Sequence, residues 1–279
     1  MSYSVLMSVY RKENPKSFRE AVESMLHQTV SPTDFVIVCD GPLTEELDRV
    51  AEDFKKTAPK LFQLIRLPEN QGLGLALKEG LLHCKEELVA RMDTDDIAEK
   101  SRMEQQLRFL KEHPEISVVG AQIAEFEETP EKIIRYRLVP ETHSEILHKL
   151  KFSNPMNHVT VLFRKEHVLN AGNYPHHPGF EDYHLWAEML SQGYLFHNLP
   201  HICCFVQSTH MMKRRDGLTY FKNTVAMEKL LRKKKLISLW QYLVNIIVRF
   251  GGTVLLPHSI RKKLFSKLMR KQPAKEQNT

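Results

Sequence analysis

Leu88-Val-Ala-Arg-Met-Asp-Thr-Asp-Asp96 decides the fold, because a short run suited to a buried strand ends abruptly on three carboxylates. The same kind of run recurs toward the N-terminus. Phe62-Gln-Leu-Ile-Arg-Leu67 reads as a strand, as does Phe35-Val-Ile-Val-Cys39, stopped by Asp40-Gly-Pro42, and so does Tyr3-Ser-Val-Leu-Met-Ser-Val9. Helical spacing fills the gaps. Ser17 is read as the cap of a helix carrying Phe18, Ala21, Val22, Met25 and Leu26, residues 43–56 form a second helix, and a third over about 74–84 follows the loop Pro68–Gly74. Strand alternating with helix predicts an α/β fold, a mostly parallel central sheet with helices on both faces. Ligands of such sheets bind beyond the carboxyl ends of the strands, which singles out the loops after Val9, Cys39, Leu67 and Met92.

The second half is less regular. Residues 101–112 and 143–151 read as helices and 116–126 as extended. Phe180–Gln192 reads as a helix with Tyr183, Trp186, Ala187 and Leu190 on one side. With 279 residues, 42% hydrophobic and 27% charged, the chain holds one large α/β domain or a catalytic domain plus a small appendage. Disorder is expected only from about Lys271 onward. Cys39, Cys84, Cys203 and Cys204 make no C-x-x-C pair, so neither a zinc site nor a disulfide framework is expected, and a reducing, cytosolic setting fits. The opening residues Met1–Tyr10 contain no basic region or cleavage site, so no signal peptide is expected.

The net charge of +6 hides an asymmetry. Residues 210–279 carry 17 Lys/Arg against 3 Asp/Glu, and residues 1–209 carry 23 against 31. An acidic body with a basic end points to a surface-binding tail, with an anionic membrane or nucleic acid as the obvious partners.

Three motifs carry candidate chemistry. In Arg91-Met-Asp93-Thr94-Asp95-Asp96 the carboxylates repel one another, and a hard divalent cation such as Mg²⁺ or Mn²⁺ would hold them together. The other reading is a solvated acidic turn capping a helix that starts near Ala98. Glu181-Asp182 stands before an aromatic helix, where it suits either general-base work on a hydroxyl or simple N-terminal capping. Asn70-Gln-Gly72-Leu-Gly74 suggests half of a phosphate loop, yet it lacks both the G-x-G-x-x-G spacing and the G-K-[ST] ending. A turn leading into a helix explains it as well.

The same motifs form a longer pattern with their neighbours. Ser4-Val-Leu-Met-Ser-Val-Tyr10 is followed by Ser24-Met-Leu-His-Gln28-Thr29, then by Asn70-Gln-Gly-Leu-Gly-Leu-Ala-Leu-Lys-Glu-Gly80 leading to Ala90-Arg-Met-Asp-Thr-Asp-Asp96. Last come Asn154-Pro-Met-Asn-His158 and Glu181-Asp-Tyr-His-Leu-Trp186. Taken together, over about residues 3–221, these resemble the family 2 glycosyltransferases of the GT-A fold, especially the bacterial enzymes that build capsule, exopolysaccharide and O-antigen repeats.

The resemblance implies a Rossmann-like GT-A domain over residues 1–221, with a nucleotide-binding half (1–100) and an acceptor half (101–221). A basic, membrane-associating helical segment (222–270) and a disordered tail (271–279) would follow it. It also implies roles. Val9, Tyr10 and Arg11 line the base and ribose pocket, with Asn70 and Gly72 on the donor side. Asp40 accepts a hydrogen bond from uracil, and Arg91 contacts the donor's phosphates or sugar. Asp93 and Asp95 form the DxD signature around Thr94, with Asp95 as direct metal ligand and Asp93 on ribose or metal, while Asp96 touches the donor sugar. Asp182 is the general base and Glu181 its neighbour. Lys213, Arg214 and Arg215 close over the diphosphate, unless they are a solvated basic turn, and His210 adds a metal contact. Asn154–His158 shapes the acceptor side or is a packed turn. The implied reaction is an inverting transfer of a hexose from a UDP-sugar, helped by Mn²⁺ or Mg²⁺, to a lipid-linked glycan. Galactose ranks ahead of N-acetylgalactosamine and glucose as the donor sugar.

The C-terminal run Leu236–Leu256 is mostly apolar between Arg232–Lys235 and Arg261–Lys263. It is long enough to span a bilayer, but Gln241, Asn245 and Arg249 at i, i+4 and i+8 make a polar stripe, and Gly251-Gly252 weakens the helix. An amphipathic helix in the interface, on the inner face of the cell membrane, satisfies both features, as does a helix pair docked on the catalytic domain. Two other functions fit less well. A sugar-nucleotide pyrophosphorylase would need a Gly-rich basic loop after the first strand, where Tyr10-Arg-Lys-Glu-Asn14 has no glycine. A nucleic-acid-binding protein would need aromatics interleaved on the basic face, and only Tyr220, Phe221, Trp240 and Tyr242 are scattered there.

Overall fold

The computed structural model describes residues 1–208 and 217–252. His210, Lys213, Arg214, Arg215 and residues 253–279 lie outside the described residues. The first half alternates as expected: β1 (Ser4–Val9), α1 (Pro15–Leu26), β2 (Asp34–Cys39), α2 (Glu45–Thr57), β3 (Phe62–Arg66), α3 (Leu73–His83) and β4 (Leu88–Arg91). One cap differs from expectation. Asn14, not Ser17, starts α1, its Oδ1 accepting from the N–H groups of Lys16 and Ser17, because Pro15 at the first helical position forces the helix to begin there.

Beyond β4 come β5 (Ile97–Ala98), α4 (Arg102–Glu112), β6 (Ile116–Phe126), β7 (Ile133–Arg137), α5 (His143–Leu150), β8 (Leu162–Arg164), α6 (Lys165–Asn170), α7 (Glu181–Ser191) and β9 (Leu195–Gln207). No helix starts at Ala98. Ile97 and Ala98 pair with Phe205 and Cys204 of β9 instead, and the helix waits until Arg102. The sheet runs β3-β2-β1-β4-β8-β6-β9-β5, with β7 on β6. It is parallel through its first four strands, and β8 then enters antiparallel to both β4 and β6. The parallel half puts the carboxyl ends of four strands on one edge, and the antiparallel insertion curls the remainder round to face them.

Alternation along the strands divides the core in two. Val5, Met7 and Val9 of β1 and Phe35, Ile37 and Cys39 of β2 pack with α1, α2 and α4. Leu6, Val36 and Val38 pack on the other face with α3, α5 and α7. Helix α3 lies unusually close to the sheet. A Cβ on Gly80 would stand 2.5 Å from Cγ2 of Val38 and 2.6 Å from Cδ1 of Leu6.

Two more helices follow, α8 (Gly217–Lys233) and α9 (Leu239–Phe250). Met227 and Leu231 of α8 and Ile237 join the second core cluster, so this hairpin is seated on the α/β domain. Among the described residues, no helix is long and apolar enough to cross a membrane.

Candidate active site

The loops after β1, β2, β3 and β4 meet around a cavity of about 450 Å³, lined among others by Tyr10, Asp40, Asn70, Gly72, Thr94 and Asp95. All four loops singled out from strand order contribute. A second cavity of about 480 Å³, reached past the same Arg91, Asp93 and Asp96, is lined by Asn154, His158, Glu181 and Asp182. The two are ends of one cleft, sharing those three side chains as a common wall.

The loop after β3 is held by the loop after β2. Asp40 is buried at the end of β2 and accepts from Asn70 Nδ2 at 2.9 Å, Gln71 N at 2.7 Å and Gly72 N at 3.0 Å. Gly41 lets the two loops touch, since its φ is +80° and a Cβ there would sit 2.6 Å from Asn70 N. Asp40 therefore orders this rim of the first cavity with both carboxylate oxygens. Val9 is buried in the core and Arg11 is exposed outside the cavity lining, so of Val9–Arg11 Tyr10 lines the cleft.

Arg91 is almost fully buried, and both its terminal nitrogens bond the carboxylate of Asp93 two residues on. Burial works against its charge, but Asp93 more than compensates and holds the guanidinium cationic. Asp96 accepts from Gln207 N at 2.9 Å; burial, then repulsion from Asp95 and Asp93, pushes its pKa well above the ordinary value. Ligand oxygens of Asp93, Asp95 and Asp96 lie within 4.8 Å of one another. Three hard oxygen donors facing a cleft, one of them (Asp96) buried against its two acidic neighbours, fit Mg²⁺ or Mn²⁺. Asp93 is committed in part to Arg91.

At the other end, Glu181 and Asp182 open α7. Asp182 Oδ2 accepts from Asn154 Nδ2, and its Oδ1 from Tyr183 N at 2.8 Å. Burial raises both acids. Glu181, pushed first by burial and then by Asp182, reaches about 7, and Asp182 is raised by burial against the pull of Asn154. Two carboxyls with raised pKa facing a cleft suit proton transfer. His158 contacts Tyr174 Oη at 3.0 Å, and burial, then the charge of Arg91, keeps it neutral.

Several contributors carry no strong signal in the sequence. Arg137 anchors the turn 154–157 at the second cavity, donating to Asn157 Oδ1 at 2.7 Å and to the carbonyl of Asn154 at 3.1 Å. It lies on β7, a short strand without clear alternation. Gln207 positions Asp96 from β9, whose pattern is broken by Asn198 and Pro200. Tyr220 and Arg249 come from α8 and α9.

Comparison with known proteins follows the same outline. The family model described as Glycosyl transferase family 2 matches residues 4–218. An uncharacterised glycosyltransferase of Haemophilus influenzae is 41% identical over 97% of this chain and 100% of its own length. A UDP-Gal:alpha-D-GlcNAc-diphosphoundecaprenol beta-1,3-galactosyltransferase of Escherichia coli is 32% identical over 96% of this chain and 97% of its own. The crystal structure of S. aureus TarS 1–349 in complex with UDP-GlcNAc superposes with a TM-score of 0.68 at 16% identity, over 96% of this chain and 78% of that one, a likeness of fold.

Proposed function

Since the chain belongs to glycosyl transferase family 2, we propose that it moves a hexose from a UDP-sugar to a hydroxyl of a polyprenyl-diphosphate-linked glycan in surface polysaccharide synthesis, with inversion to a β-linkage. One observation carries the reading: a single cleft has Asp95 with Tyr10, Asp40 and Asn70 at one end, Asp182 and Glu181 at the other, and Arg91, Asp93 and Asp96 on the wall common to both. A donor bound at the first end would have its anomeric carbon near the shared wall, within reach of an acceptor bound at the second.

Each residue then has a task. Tyr10 and the rim ordered by Asp40, Asn70 and Gly72 hold the nucleotide. Asp95, with Asp93 and Asp96, holds the divalent cation. Such a cation, when bound, offsets the negative charge growing on the diphosphate leaving group. Arg91 keeps Asp93 in place and adds positive charge behind the sugar. Asp182 accepts the proton of the acceptor hydroxyl as that oxygen bonds to the anomeric carbon and the bond to the diphosphate oxygen breaks on the opposite side. Glu181 adjusts the field around Asp182 and offers a hydrogen bond to the acceptor.

The Escherichia coli relative, by its name, takes UDP-galactose and a diphosphoundecaprenol-linked acceptor, which supports galactose as the first donor to try. A lipid-carried acceptor would place the work at a membrane surface, on its cytoplasmic side. The test is a screen of nucleotide sugars for Mn²⁺-dependent donor hydrolysis and for transfer to a diphosphate-lipid glycan. UDP-galactose is expected to give turnover; none with any nucleotide sugar sinks the reading.

A further inference from the structure

Helix α9 is built inside out for a water-facing helix. Its polar stripe faces the protein. Asn245 is buried and donates to Lys151 O and to Glu228 Oε2, both at 2.8 Å, while Gln241 donates to Asn245 Oδ1 at 2.8 Å. Arg249 donates to Phe152 O at 2.7 Å and pairs with the buried Glu228 at 2.7 Å. The opposite arc is apolar and bare. Trp240 is 75% exposed, Ile247 70%, Val248 66% and Leu239 57%, with Leu243 and Phe250 beside them. At 100° per residue, Leu239, Phe250, Leu243, Ile247, Trp240 and Val248 follow one another round half of the helix. The stripe that makes the sequence read as amphipathic is thus spent on docking, and what remains outside is hydrophobic.

The surroundings say what covers it. Arg232, Lys233 and Lys235, exposed at the end of α8 and the turn into α9, stand with Lys229. Between residues 217 and 252 the sequence has one acid, Glu228, which is buried beneath α9. A second copy of this chain on the same face would bring two such clusters of cations together. An anionic lipid surface offers apolar depth and negative headgroups at once, and a tryptophan suits its boundary.

We infer that the outer face of α9 inserts shallowly into an anionic lipid surface while its inner face forms part of the acceptor end of the cleft. Arg249 lines that end, next to the exposed Phe152, so seating α9 in lipid puts the cleft mouth at the headgroups. Only the purpose of this contact rests on the lipid-carried acceptor proposed above; the contact itself is read from α9.

The test uses the full chain and vesicles of phosphatidylcholine with or without phosphatidylglycerol, scored by flotation, beside the triple variant Trp240→Ser, Ile247→Ser, Val248→Ser. The wild type is expected to float with the anionic vesicles and far less with neutral ones. The variant's bound fraction should fall by about tenfold or more, with its circular dichroism and Mn²⁺-dependent donor hydrolysis unchanged. A wild type that does not float, or a variant that floats as well as the wild type, overturns the inference. So does a wild-type dimer that the variant turns into a monomer without any effect of lipid. Absence of donor hydrolysis in the wild type would strike the transferase reading instead and leave the flotation result standing.

Discussion

Asn154 donates its side-chain amide to one carboxylate oxygen of Asp182, 28 positions further on, while the backbone N–H of Tyr183 takes the other. The carboxylate at the start of α7 is therefore oriented from two sides. Its pKa is raised by burial, and the bond from Asn154 works against that rise.

Asp182→Asn keeps the shape and removes the base. Transfer to the acceptor should drop by about 10²- to 10⁴-fold, with donor hydrolysis and donor KM little changed. Asn154→Ala should cost less and shift the acidic limb of the transfer pH profile upward, because the carboxylate loses a donor that favours its charged form. Near-normal transfer by Asp182→Asn would assign the proton to another group.

Asp95→Ala should abolish the response to Mn²⁺, with activity down by about 10²-fold or more, and chelation should do the same to the wild type. Thermal melts with and without Mn²⁺ separate a lost ligand from a damaged fold. Full metal-dependent turnover would show that the cation sits elsewhere.

Glu181 keeps its proton up to about pH 7 in the folded protein and gives it up near the ordinary 4.5 when unfolded. Between those values the native state binds the extra proton, so stability is lost as pH rises through the window. At about 1.4 kcal/mol per pH unit the full effect is at most about 3.5 kcal/mol. Glu181→Gln should flatten this part of the stability curve and melt higher than the wild type above pH 7. Parallel melting curves across the window would reject the assignment.

Asp40→Asn turns one accepting oxygen into a donor that must face an N–H or NH₂ group already there. Urea titration should show a loss of about 1–3 kcal/mol, and the donor KM should rise with the loop freed. An unchanged donor KM would mean that the rim formed by residues 70–72 does not touch the nucleotide.

Gly80→Ala forces a methyl group into contact with Val38 and Leu6 at less than van der Waals distance. A stability loss of about 1–3 kcal/mol is expected, although alanine favours helix over glycine. A gain in melting temperature would mean that α3 can lift off the sheet.

The sequence by itself determined the parallel half of the sheet and the acidic cluster at its edge. β1 to β4 are short β-rich runs and α1 to α3 keep helical spacing, so local periodicity was enough. Asp93, Asp95 and Asp96 are neighbours in the chain, and their repulsion is visible without coordinates. Only the tertiary structure decided that Val9 is core while Tyr10 is cleft, because a strand end turns its side chains to opposite faces. Only it placed Asn154 and Arg137 at the second cavity and paired Ile97 with Phe205, contacts between distant segments that leave no local period. It also decided the facing of α9. Periodicity shows that a helix has two faces, but which face looks inward depends on a partner, and buried Glu228 drew the polar one.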